Sequence, residues 1–169
     1  MRISSLRLPE VTRVGDYFTA NCPSLVNLYM PKLEKAGHSF AYYCKSLVNL
    51  YMPKLEKAEH SFAYCCKSLV SLELLKLKEA GSWFVYGCTS LVSVQTPELE
   101  GVGISFASNC TSLVSLRLPQ LRVTGVGFAL RCTSLANLHL PKLEKAGDFF
   151  AAYCHSLPKE AIPSCVSDR

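Results

Sequence analysis

"CPSLVNLYMPKLEKAGHSFAYY", Cys22 to Tyr43, is followed at once by "CKSLVNLYMPKLEKAEHSFAYC", Cys44 to Cys65. The two 22-residue stretches differ at only three places: Pro23/Lys45, Gly37/Glu59 and Tyr43/Cys65. Outward from this pair the same register persists. Cys22, Cys44, Cys66, Cys88, Cys110, Cys132 and Cys154 stand 22 residues apart. A fixed period of about 20 to 50 residues marks a chain built from stacked, similar turns. Six full units run over 22–153; a partial unit, 1–21, precedes them, and the pattern fades after Leu157.

With the Cys as position 1, each apolar column can be read down the chain. Position 4 holds Leu25, Leu47, Leu69, Leu91, Leu113 and Leu135, and position 7 holds Leu28, Leu50, Leu72, Val94, Leu116 and Leu138. Position 9 is Leu or Met except at Thr96; position 12 is always apolar; position 19 is always Phe, from Phe18 to Phe150. L-x-x-L-x-L-P-x-L is the leucine-rich repeat pattern, with positions 7 and 9 inward on one strand and 6, 8 and 10 outward. Pro at position 10, absent only at Leu75, has no N–H to donate and ends the strand. Gly at position 16, replaced only by Glu59, suits a turn. The segment between positions 11 and 19 is too short for a helix with two turns, so a short extended or 3-10 piece is expected there. The predicted fold is a β-rich solenoid of the α/β class, with a parallel sheet on one face and these short segments on the other. Residues 1–157 form that single solenoid and 158–169 a degenerate tail or cap. One unit exposes too much apolar surface to fold alone, so stacking is obligatory.

Composition narrows the function classes. The 169 residues are 49% hydrophobic, which suits a folded chain. The net charge of +5 comes from interspersed Lys and Glu without a basic run, so nucleic acid is not expected as a partner. The start, "MRISSLRLPE", has no apolar core of a signal peptide. The longest uncharged stretch, Gly81 to Pro97, is polar and broken by Pro97, so no membrane insertion is expected in this segment.

The whole unit, C-x-S-L-x-x-L-x-L-P-x-L-x-x-A-G-x-x-F-A-x-x, resembles the BspA-like (Treponema-type) leucine-rich repeat. The Pro, Gly, Phe and Cys recur in phase over Ile3 to Leu157. The resemblance implies a curved solenoid with a parallel sheet on one face. It also implies kinship with surface-exposed proteins of bacteria and mucosal protists associated with adhesion and with host or matrix binding.

The polar columns are regular rather than catalytic. No C-x-x-C zinc pattern is present, and the phased cysteines are expected as a buried column of thiols closing each turn. His38 and His60 share position 17 and should stack on neighbouring turns without a third ligand for a metal. The phased serines, Ser24 to Ser156 at position 3, read as turn residues bonding the backbone, because a nucleophile is needed once and not in every turn. Gly101-Val102-Gly103 and Gly125-Val126-Gly127 read as turns, not as a nucleotide loop. The sequon Asn109-Cys110-Thr111 has a column cysteine at its centre. No catalytic set, cofactor site or metal site is expected.

The outward strand positions remain. Position 6 is a polar ladder of Ser and Asn. Position 8 changes chemistry from unit to unit: Arg7, Tyr29, Tyr51, Glu73, Gln95, Arg117 and His139. Tyr and Arg are favoured anchors at interfaces, so this row is the candidate protein-binding site; a solvated sheet face without a ligand is the other reading. The leading function is a non-enzymatic protein-binding module, a surface adhesin or antigen fragment. An intracellular leucine-rich repeat scaffold and a structural spacer are the alternatives. The first unit starts without a polar cap, so an exposed apolar N-terminal face and self-association through it are expected.

Overall fold

A computed structural model of the chain describes residues 3–166. Each 22-residue unit makes one turn of a parallel β-solenoid. Positions 6 to 8 form a front strand: β1 (Ser5–Arg7), β3 (Asn27–Tyr29), β5 (Asn49–Tyr51), β7 (Ser71–Glu73), β9 (Ser93–Gln95), β11 (Ser115–Arg117) and β13 (Asn137–His139). Positions 14 and 15 form a back strand: β2 (Arg13–Val14), β4 (Lys35–Ala36), β6 (Lys57–Ala58), β8 (Glu79–Ala80), β10 (Gly101–Val102) and β12 (Val123–Thr124). Of the two expectations for the back segment, the extended one holds. It also pairs into a second parallel sheet, β2-β4-β6-β8-β10-β12, prolonged by a bridge from Val123 to Lys145. Every pairing joins residues 22 apart, as Leu28 to Leu50 or Ala36 to Ala58. The register is thus the sequence period itself.

The core is a set of ladders. Phe40, Phe62, Phe84, Phe106 and Phe128 are fully buried, with successive ring centroids 5.0, 5.0, 5.3 and 5.8 Å apart. The inward Leu and Met columns fill the space between the two sheets. At the first turn the same columns are only half covered: Phe18 is 38% exposed, whereas Phe40 is not exposed at all. At the other end a 3-10 turn at Lys159–Ala161 lies against β13, and Leu157 and Val166 pack on the core.

Two details correct the sequence reading. The chain reverses through left-handed residues at positions 18 and 22, for example Ser39 (φ 55), Trp83 (φ 55), Asn109 (φ 60) and Arg131 (φ 60), and not at the position-16 glycine. That glycine serves close approach instead. A Cβ on Gly103 would lie 2.5 Å from the backbone nitrogen of Ser82 on the preceding turn. The Gly101-Val102-Gly103 stretch is not a turn, because Gly101 and Val102 form β10, whereas Val126 and Gly127 of the second such stretch do lie in a turn. Exposed pairs one turn apart, Lys32–Glu10 (2.6 Å), Lys76–Glu98 (2.7 Å) and Arg122–Glu144 (3.0 Å), decorate the stack. Exposed to water, such pairs contribute little to stability.

Candidate functional site

The strand period of two makes Leu28 point inward from β3 and leaves Asn27 and Tyr29 on the front face. All seven position-8 residues end front strands, and they pair in register in two groups: Arg7 beside Tyr29 and Tyr29 beside Tyr51, then Glu73 beside Gln95, Gln95 beside Arg117, and Arg117 beside His139. The rings of Tyr29 and Tyr51 stack at 4.9 Å with 5° between their planes. The Arg7 guanidinium carbon lies 4.4 Å from the Tyr29 centroid, so cation and two rings form one pile. Below it, the Asn49 amide donates to the Asn27 side-chain carbonyl at 2.6 Å.

The expected single row is interrupted. The front sheet has two parts, β1-β3-β5 and β7-β9-β11-β13, with no pairing between Tyr51 and Glu73. Elsewhere the position-5 amide bonds back to the preceding turn, as Val48 to Val26 (2.9 Å) and Val92 to Val70 (2.8 Å); Val70 makes no such bond to Val48. A cleft of about 280 Å³ opens at this joint, lined by Val48, Asn49, Leu50, Tyr51, Pro53, Ser71, Glu73 and Leu75. A second, of about 340 Å³, lies between β9 and β11 and is lined by Gln95, Thr96, Arg117 and Pro119 among others. Leu75, the one residue that replaces the strand-ending proline, is 41% exposed and borders both.

A second row on this face escaped the sequence reading. Val48, Val70, Val92 and Val114 at position 5 are 38%, 48%, 42% and 43% exposed, an apolar stripe parallel to the position-8 row. The signal was present, since Val recurs five times running at this column. A constant apolar column is ordinarily core, and only the burial of positions 4 and 7 on either side shows that this one faces out.

The cysteines build the scaffold and not the site. Six of the seven phased residues are buried; Cys22 is exposed. Each buried thiol donates to the position-20 carbonyl of the turn before: Cys66 to Ala41 (3.1 Å), Cys88 to Ala63 (3.0 Å), Cys110 to Val85 (3.1 Å) and Cys132 to Ala107 (3.0 Å). This is the backbone capping expected of the serines. Among the described position-3 serines only Ser156 makes such a bond, to Thr133 at 2.9 Å. Cys22 has no such carbonyl within the described residues and instead meets Ala20 at 3.8 Å. Burial holds the Cys66 and Cys88 thiols well above their ordinary range and pushes Cys110 up to about 12.

The two histidines lie on neighbouring turns as expected, with ring centroids 5.1 Å apart and the rings tilted by 31°. His60 Nδ1 accepts the Ser82 amide at 2.8 Å, which ties one turn to the next. Among the described residues no group of three or more His, Cys, Asp or Glu could hold a metal ion, and no helix is long and apolar enough to cross a membrane.

The family model described as the BspA type leucine rich repeat region matches residues 1–89 and 56–168, in six copies. No curated protein matches the chain. Among solved structures it is similar to a leucine-rich repeat protein of T. pallidum: 24% identity, TM-score 0.85, over 95% of this chain and 81% of that one. A leucine-rich repeat protein from Bacteroides ovatus gives 26% identity and a TM-score of 0.68, over 86% of this chain and 45% of that one. A leucine rich cell surface protein from Faecalibacterium prausnitzii gives 13% identity and a TM-score of 0.60, over 92% and 65%.

Proposed function

Because the chain belongs to the BspA-type leucine-rich repeat family, we propose that it is a non-enzymatic protein-binding module whose front sheet is the binding face. The observation that carries this reading is the pile of Arg7, Tyr29 and Tyr51 on a rigid sheet, flanked by the exposed valine stripe. Rigid aromatics present contact area at low entropic cost, and contiguous exposed apolar area on a folded protein marks an interaction surface. The back sheet carries Lys35, Lys57 and Glu79, two of them paired across turns, and among its strand residues only Val123 is a large exposed apolar side chain.

In finer detail, the module is a surface adhesin or antigen that binds a host or matrix protein. Support comes from the family and from a structurally similar protein described as a cell surface protein. The protonated thiol column favours the alternative, an intracellular scaffold, since reduced thiols suit a reducing compartment. The half-covered first turn, with Ile3 56% exposed, is the surface through which this chain would associate with itself. Sedimentation velocity should then show association that weakens in Phe18→Glu; a strictly monomeric chain at high concentration refutes it.

The main test is a paired scan against a protein captured from matrix extract or cytosol and then purified. Tyr29→Ala and Arg117→Ala each weaken binding about thirtyfold, or about 2 kcal/mol, if these side chains are anchors. Lys35→Ala and Lys57→Ala, on the back sheet, change it by no more than about 1 kcal/mol. Loss of binding in the lysine variants with retention in the front-face variants would overturn the reading.

A further inference from the structure

The Arg7–Tyr29–Tyr51 pile has two ends. At one end the Arg7 guanidinium covers Tyr29 at 4.4 Å. At the other, Tyr51 stacks on Tyr29 with one face only and is 50% exposed. Its second face looks along the row toward β7, across the cleft where the front sheet is unpaired. No cation of the chain covers that face among the described residues.

Across the cleft stands Glu73, the only acidic residue in the position-8 row. It is exposed, lines the cleft with Tyr51, and makes no ion pair among the described residues. Two unbonded acceptors stand beside it, together with two donors, the Ser71 hydroxyl and the Val70 amide. The Val48 carbonyl lacks the amide that its counterpart Val26 accepts from the next turn. One N–H of the Asn49 amide goes to Asn27, and among the described residues its oxygen accepts no hydrogen bond. Pro53, Leu75 and Val48 supply an apolar rim.

We propose that this cleft is a receptor for an arginine side chain of the partner protein. The inference rests on the front sheet being the binding face. The guanidinium lies flat on the free face of Tyr51, repeating what Arg7 does to Tyr29, and turns its N–H edge to Glu73, Asn49 and the Val48 carbonyl. The methylene stem covers Leu75 and Pro53. A planar guanidinium stacks on a ring and donates in its own plane at once, which a lysine ammonium does not. The pairing also accounts for a carboxylate left without a partner beside an aromatic stack.

The experiment needs no natural ligand. The probe is a blocked glycyl-arginyl-glycine peptide, titrated into the full chain and followed in assigned amide NMR spectra. Its neutral citrulline isostere and a lysyl analogue serve as comparisons. The expected result is shifts confined to 48–53 and 71–75, absent with the citrulline peptide and weaker with the lysyl one. Glu73→Gln and Tyr51→Leu each weaken the arginine peptide about tenfold, with circular dichroism unchanged. Equal binding of arginine and citrulline peptides, indifference to Glu73→Gln, shifts elsewhere, or no shifts at all would each overturn the proposal. A purified partner that depends on Tyr29 and Arg117 but tolerates Glu73→Gln sinks this site alone; a partner indifferent to the whole row sinks the binding face itself.

Discussion

Raising the pH should unfold this protein through its thiols. Cys66, Cys88 and Cys110 are fully buried and donate to backbone carbonyls one turn below. Burial resists the thiolate, and Cys110 is held protonated to about 12. In the unfolded chain a thiol ionises near 8.5. The folded value lies above the unfolded one, so the stability from these groups is complete below about pH 8.5 and drains away as pH rises toward the folded value. One unit above the unfolded value, each thiol costs about 1.4 kcal/mol, so the three together remove roughly 4 kcal/mol by about pH 9.5. That is a large share of a stability on the order of 10 kcal/mol. Lysine and tyrosine titrate mainly above this window. The assay is urea unfolding at stepped pH with a non-thiol reductant present. Cys110→Ala should be less stable at neutral pH but lose about 1 kcal/mol less between about pH 8.5 and 9.5, because one of the buried thiols is gone. A urea midpoint that does not move over this window would refute the reasoning, since the thiols would then ionise within the folded stack.

Three further outcomes follow from single side chains. Thr96 Oγ1 is buried without a hydrogen-bond partner, so Thr96→Val should raise stability by about 1 kcal/mol, measured as a higher urea midpoint; an unchanged or lower midpoint would mean that the hydroxyl is satisfied. Phe84, buried between Phe62 and Phe106, should cost about 3–5 kcal/mol on change to Ala, and Phe18→Ala less than half of that because Phe18 is already partly in water; equal losses in melting experiments would contradict the ladder. Ser61 holds φ 59 in a column where Gly127 holds φ 68, so Ser61→Gly should stabilise by roughly 0.5–1 kcal/mol in thermal unfolding, and a loss would show that the serine side chain matters there.

What the sequence made legible is whatever a period can express. A 22-residue repeat of Leu, Phe and Cys fixes which residues lie above one another, because parallel pairing in register is the only stacking that superposes every column. The core, the inward and outward alternation of Leu28 and Tyr29, and the histidine pair all follow from that. What stayed hidden depends on groups the period does not encode. The capping of each position-20 carbonyl by a thiol is a three-dimensional pairing across 25 residues, such as Cys66 to Ala41, and nothing in a one-dimensional column predicts it. The real task of Gly103 is contact with Ser82 on the preceding turn, which composition alone cannot tell from a turn glycine. The valine stripe was visible but ambiguous, since strand propensity and exposure both fit Val.

The opening between β5 and β7 lies at the one boundary where duplication stops. Copying a unit sets like side chains one turn apart, and three of the matched contacts between the first two full units are Asn27 with Asn49, Tyr29 with Tyr51, and His38 with His60. The next unit breaks all three columns, with Ser71, Glu73 and Ser82. A stacked ring gains from a second ring above it but gains little from a carboxylate, which prefers water or a cation. The front of the joint therefore loses its side-chain adhesion, while the back keeps the β6–β8 pairing and the His60–Ser82 bond. The same substitution that ends the tyrosine stack supplies the charge that faces it. Reverting the column with Glu73→Tyr should close the front sheet by extending the stack to a third ring. Hydrogen exchange reports the difference directly: the Val70 amide, unbonded to Val48 in this chain, becomes protected in the variant, and an amide that still exchanges freely would show that the opening has another cause.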